Sequence, residues 1–120
     1  MRLWLDDIRP MPEDFDFAVT TAQCAINELS GDNVDFISFD HDLGDEHGTG
    51  YTVACWIERA IYNRLLRKCP DYAIHSANPV GRENIRRAME HAKQLASDAA
   101  YRRVIESMER DDARNQFEDG

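Results

Sequence analysis

Three short stretches hold most of the side chains able to do chemistry: Asp6–Asp7, Asp40–His41–Asp42 and His75–Ser76. Neighbouring carboxylates repel when all are ionised, and a divalent cation relieves that conflict. Magnesium accepts carboxylate oxygens, keeps part of its water shell and recruits phosphate oxygens. Asp6, Asp7 and Asp40 are therefore the expected direct or water-mediated ligands of Mg²⁺, with Mn²⁺ a substitute. The D-x-D spacing of Asp40 and Asp42 places a nucleophile or ligand beside a second acid, although such carboxylates also serve as plain turn acceptors. His75 can exchange a proton near neutral pH, and His41, between two acids, either shares that work or orients them. Ser76, Asn78 and Arg9 offer donors to a phosphoryl oxygen, with turn stabilisation or a surface ion pair as the competing reading. Gly81 leaves the first amides of a following helix open to an anion.

Those stretches need elements to aim them. Arg2–Leu5 reads as a strand cut off by Asp6–Asp7, and Asp6–Pro12 as a loop, because Pro10 and Pro12 do not belong in a central strand. Phe15–Val19 is expected as an edge strand, followed by a helix capped at Thr20 or Thr21 and ending near Leu29. Val34–Phe39 is the clearest strand. Helical spacing of Val53, Ile57, Ala60, Ile61 and Leu65 predicts a helix over Thr52–Lys68, stopped by Pro70. A brief strand at Tyr72–Ile74 leads into a helix over Arg82–Ala96, with Ile85, Ala88, Met89, Ala92 and Leu95 inward. A further helix from a cap at Ser97 or Asp98 to about Glu109 should bury Tyr101, Val104, Ile105 and Met108. Alternating strands and helices favour a parallel sheet, and ligands of such sheets gather beyond the carboxyl ends of the strands. All three chemical stretches sit at such ends.

The chain has 120 residues, which fits one domain: a core over 1–96, an added helix over 97–110 packed on it, and a flexible acidic tail over 111–120. A net charge of −9 leaves no basic track for a long duplex nucleic acid, while a metal can still invert the sign of one pocket. Met1–Leu5 runs straight into Asp6–Asp7 without the pattern of a secretory leader, and no apolar run suffices to span a membrane. Cys24, Cys55 and Cys69 form neither a disulfide framework nor a metal pair, so a reducing cytoplasm is expected. His47, beside Asp45 and Glu46, reads as surface loop, His91 as part of a helix face, and Trp4 and Trp56 as packing residues. Composition says nothing of oligomeric state.

The segments L-W-L-D-D-I-R-P (3–10), S-F-D-H-D-L-G (38–44), T-G-Y (49–51) and I-H-S-A-N-P-V-G (74–81) together resemble the cyclic-phosphate processing receiver domains, a divergent branch of the response-regulator receivers. The resemblance runs from Leu3 to Gly81 and on through the next helix to about Ala96. It implies a receiver-like, flavodoxin-type α/β fold: a parallel sheet of about four strands flanked by helices, with the usual last strand absent. It also implies magnesium at Asp6–Asp7, a phosphoacceptor or ligand position at Asp40 and a phosphate-contacting hydroxyl at Ser76. The lysine that receivers carry on their last strand has no clear counterpart, since Lys68 and Lys93 are poorly placed. That departure weakens a phosphorelay reading, while His41, Asp42 and His75 strengthen a phosphoesterase reading. The expected activity is hydrolysis of a cyclic phosphate in a small nucleotide or at an RNA end; the alternative is a non-enzymatic phosphoacceptor or pseudo-receiver module.

Overall fold

The computed structural model describes residues 1–44 and 46–118, with backbone only at 99 and 112–118. Four strands, β1 (Arg2–Leu5), β2 (Phe17–Val19), β3 (Phe36–Phe39) and β4 (Asp71–Ile74), form one sheet in the order β2-β1-β3-β4, and every pairing is parallel. Four helices accompany it: α1 (Ala22–Leu29), α2 (Gly50–Tyr62), α3 (Pro79–Ser97) and α4 (Ala99–Glu118). This is the flavodoxin-type arrangement expected, with no fifth strand among the described residues. The described part of Asp42–Thr49, which excludes Asp45, is a loop closed by a single antiparallel bridge between those two residues.

Strand register decides which side chains share a face. Leu3 aligns with Ile37, and Leu5 with Phe39; all four are fully buried in the main core under α1, α2 and α3. The opposite face carries Arg2, Trp4, Phe36 and Ser38 and is covered by the β1–β2 connection. There Phe15 packs edge-on against Trp4 at 5.1 Å and Phe36 at 5.9 Å between ring centroids, and the Arg2 guanidinium lies over Phe36. This connection contains no helix. Pro10 and Pro12 forbid one over most of its length, so an extended segment does the work that a crossover helix does elsewhere in the sheet.

Two boundaries differ from the sequence expectation for a physical reason. α2 ends at Tyr62 rather than near Lys68, because Asn63 caps it and Arg64 turns into the left-handed region at φ 60°. The turn shifts the register by one residue: Leu65, expected in the core, is 67% exposed, and Leu66 is 2% exposed in its place. α4 continues to Glu118, past Arg110, where the sequence reading places the start of a polar tail; 119 and 120 of that tail lie outside the described residues. Tyr101 and Ile105 bury as expected and the Tyr101 hydroxyl donates to the Leu66 carbonyl, whereas Val104 and Met108 are exposed. No described helix is long and apolar enough to cross a membrane.

Candidate functional site

The carboxyl ends of β1, β3 and β4 lie side by side, so the residues just past them converge. One carboxylate oxygen from each of Asp6, Asp7 and Asp40 falls within 4.8 Å of the others. Asp6 is the most constrained. Its Oδ1 accepts from the amides of Ile8 (2.8 Å) and Arg9 (2.9 Å), and its Oδ2 accepts from His75 Nε2 (2.9 Å). Burial alone would raise its pKa, but these donors outweigh burial and lower it, so Asp6 stays ionised. Asp40 has the opposite balance: burial and the Asp6 charge raise its pKa, against one amide bond from His41 at 2.8 Å. Asp7 Oδ1 is buried with no hydrogen-bond partner among the described residues. An acceptor left orphaned beside two further carboxylates is what a divalent cation would satisfy, and an all-oxygen donor set suits magnesium or manganese. The three residues fit such an ion.

The two histidines lie on opposite faces of the sheet. Alternation along the strands puts His75 on the side of Trp4 and Ser38. There its ring stacks on Trp4 at 3.9 Å between centroids, with 4° between planes. Its Nε2 donates to Asp6, and its Nδ1 accepts from the Ser38 hydroxyl at 2.7 Å. Both ring nitrogens are thus occupied, and burial, opposed by the bond to Asp6, lowers its pKa and keeps the ring neutral. The proton-transfer role expected for His75 requires a ring nitrogen that neither of these bonds leaves open.

His41 lies on the helix face. Its Nδ1 bonds Asp42 Oδ1 at 2.8 Å. The carboxylate can only accept, so Nδ1 carries the proton and Nε2 carries the lone pair. Nε2 has no partner among the described residues. Two helix starts fix the loop that carries it. A side chain at Gly50, the first residue of α2, would run into the Asp40 carbonyl, while the Gly50 amide donates to the His41 carbonyl at 2.9 Å. A side chain at Gly81, in the first turn of α3, would overlap the His41 ring. Gly81 is therefore an orienting contact for His41 as well as an opening toward the helix amides.

Three further candidates are partly absorbed by architecture. Asn78 caps α3, its Oδ1 accepting from the Gly81 amide at 3.0 Å; its Nδ2 faces His41 Nδ1 at 3.5 Å, too far for a strong bond. Ser76 is buried, and its hydroxyl accepts from the Asn78 amide at 3.1 Å. Arg9 is exposed and crosses the gap between strands, donating from Nη1 to the His75 carbonyl at 2.5 Å, and its positive charge is felt at Asp40. Ser38 and Trp4 were the partners that sequence reasoning missed. Ser38 lies two residues before Asp40, and the period-2 register alone would have placed it on the face of His75.

His47 is exposed in the loop, and His91 pairs with Glu58 at 2.8 Å on the helical surface. Lys68 and Lys93 both sit at the far end of the sheet from the carboxylates, before β4 begins and near the end of α3. Searches among curated proteins and among solved structures give no match. The sequence profile of the family described as the cyclic-phosphate processing Receiver domain matches residues 1–91, which cover all four strands and every residue of the site, and the chain belongs to that family.

Proposed function

We propose that this domain hydrolyses a cyclic phosphodiester in a metal-dependent reaction, releasing a phosphate monoester with a free hydroxyl. The substrate class is a small cyclic nucleotide or the cyclic-phosphate end of an RNA. The His41–Asp42 pair, adjoining Asp40 of the carboxylate cluster, supports this reading, because its bond to Asp42 orients His41 as a base with its other nitrogen unbonded among the described residues. Asp6, Asp7 and Asp40 would hold Mg²⁺ or Mn²⁺, which supplies Lewis-acid polarisation of the phosphoryl oxygens and neutralises their charge. His41 Nε2 takes a proton from the attacking water as the new oxygen–phosphorus bond forms. The ring P–O bond breaks, and the departing oxygen receives that proton back from His41. Asp42 keeps the imidazole in the required tautomer throughout. Arg9 places a guanidinium next to the developing negative charge. Ser76 and Asn78 shape the loop that brings Gly81 under His41, and a phosphate oxygen accepting from either would strengthen the same pocket.

The test is a panel of cyclic mononucleotides, cyclic dinucleotides and short RNA with a 2′,3′-cyclic end, assayed by phosphorus NMR with magnesium and with manganese. Ring opening that stops in chelator is the expected result. No turnover of any panel member with either metal would sink the hydrolase reading and favour the phosphoacceptor or pseudo-receiver alternative.

His75 has a different role in this scheme: it fixes Asp6 and does not meet the substrate. Groups that hydrogen-bond metal ligands from behind typically govern metal affinity by about 10–100-fold. H75A is expected to weaken magnesium binding by about that factor in calorimetric titration, with kcat largely restored at saturating metal. Unchanged metal affinity together with a collapsed kcat would return proton transfer to His75.

A further inference from the structure

A cleft distant from the carboxylates lies at the opposite end of the sheet, where the segment before β4 meets the end of α3 and the start of α4. It measures about 460 Å³, and Arg67, Lys68, Cys69, Lys93, Tyr101 and Arg102 contribute to its walls. Both lysines of the chain are here, in a molecule whose net charge is −9. Arg67 and Lys68 are already committed, Arg67 to Asp32 at 3.9 Å and Lys68 to Asp35, which also holds the amino terminus at 2.6 Å. Lys93 and Arg102 are not. The Lys93 ammonium lies 5.7 Å from the centre of the Tyr72 ring, and neither side chain pairs with a carboxylate among the described residues.

The end of α3 does not consume these charges. The Gln94 carbonyl accepts from the Ser97 hydroxyl at 2.8 Å, and the Leu95 carbonyl from the Asp98 amide at 3.2 Å. Cys69 adds no charge either, since burial pushes its thiol up to about 11 and it stays protonated at neutral pH. Lys93 and Arg102 line the cleft together with Arg67 and Lys68, and these four cations outnumber the one carboxylate of its lining, Glu106, so the cleft favours an anion. An Arg fork paired with a Lys point charge matches tetrahedral phosphate.

We propose that this cleft is a second anion site, which binds the phosphate monoester group of a small phosphorylated molecule through Lys93 and Arg102, without metal. A cleft of this volume is of the size that takes a small-molecule ligand. The proposal does not depend on what the carboxylate cluster does.

The experiment is an NMR titration of the full chain in chelator, where the carboxylate site cannot recruit phosphate through a metal. The ligands are inorganic phosphate, adenosine 5′-monophosphate, adenosine and succinate. Phosphate and the monophosphate should shift amides around 67–69 and 93–102, adenosine should shift none, and succinate should bind more weakly. K93Q and R102Q should each weaken the monophosphate by about tenfold, as expected for one charge-assisted contact, while K93R and D40N bind as the parent does. Lys93 and Arg102 are exposed, so these substitutions leave the fold intact, which an unchanged Tm checks. No shift at millimolar phosphate, shifts confined to the strand ends, or equal binding by the K93Q/R102Q double variant would overturn the proposal. Tighter binding of succinate than of phosphate would overturn the phosphate class.

Discussion

H41A is expected to slow cyclic-phosphate opening by about 10²–10⁴-fold, the range in which a positioned proton-transfer group contributes. The expectation follows from the difference between the two histidines. His41 has one nitrogen tied to Asp42 and the other without a partner among the described residues, whereas both nitrogens of His75 are bonded, to Asp6 and Ser38. Removing His41 should leave magnesium affinity nearly unchanged. D42N should cost less than H41A, because it removes the acceptor that sets the tautomer but leaves the ring. G81A should resemble H41A in kcat, since the added methyl has no room beside the ring and must displace it. A variant that merely destabilised the fold would lower Tm and activity together; H41A should lower activity alone. Full kcat in H41A would eliminate His41 as the base and with it the mechanism drawn above.

Much of this site was legible in the sequence because it depends on strand ends, and strand ends are abrupt. Leu3–Leu5 is apolar and Ile37–Phe39 free of charge up to the residue where carboxylates begin, so the alignment of Asp6 and Asp40 follows once the sheet is parallel. The division of work between the histidines was not legible. It depends on face parity one residue past each strand: Asp6, Asp40 and His75 continue the parity of Trp4 and Ser38, while His41 follows that of Phe39. Parity requires knowing the residue at which each strand stops. The same sensitivity explains Leu65 and Leu66, whose exchange rests on one left-handed residue at Arg64, a position with no glycine to announce it. Gly50 and Gly81 carried a signal as glycines at helix starts, but what they make room for is set by tertiary contact. The lack of a β1–β2 helix was readable from Pro10 and Pro12; that Phe15 and Arg2 would seal the far face of the sheet was not.

D40N should raise Tm in chelator, abolish most of the rise in Tm that magnesium produces, and remove turnover. Each part has its own cause. Burial and the Asp6 charge raise the pKa of Asp40, so the folded state binds its proton more readily than the unfolded state does. Stability from this residue therefore falls as pH rises from its unfolded value through its folded one, and at neutral pH the ionised group strains the metal-free fold. Asparagine removes that repulsion while keeping the shape. A cation relieves the same repulsion in the parent, where a roughly hundredfold excess over Kd would stabilise by about 2.7 kcal/mol, on the order of 10 °C for a domain of this size. D40N loses one of the three oxygens that would hold the ion and should keep only a small part of that rise. Turnover goes with the ion, whether Asp40 acts as ligand alone or attacks phosphorus itself. Intact-mass measurement after exposure to acetyl phosphate separates the hydrolase from the phosphoacceptor alternative. A stable single phosphoryl adduct in the parent, absent in D40N and unaccompanied by ring opening, would make Asp40 the acceptor of a switch. The remoteness of both lysines from Asp40 argues against that outcome, because the cation that receivers place beside their phosphorylated aspartate has no lysine to supply it here. If D40N kept the full magnesium response in Tm, the carboxylate cluster would not be the metal site, and the proposed mechanism would fail at its first step.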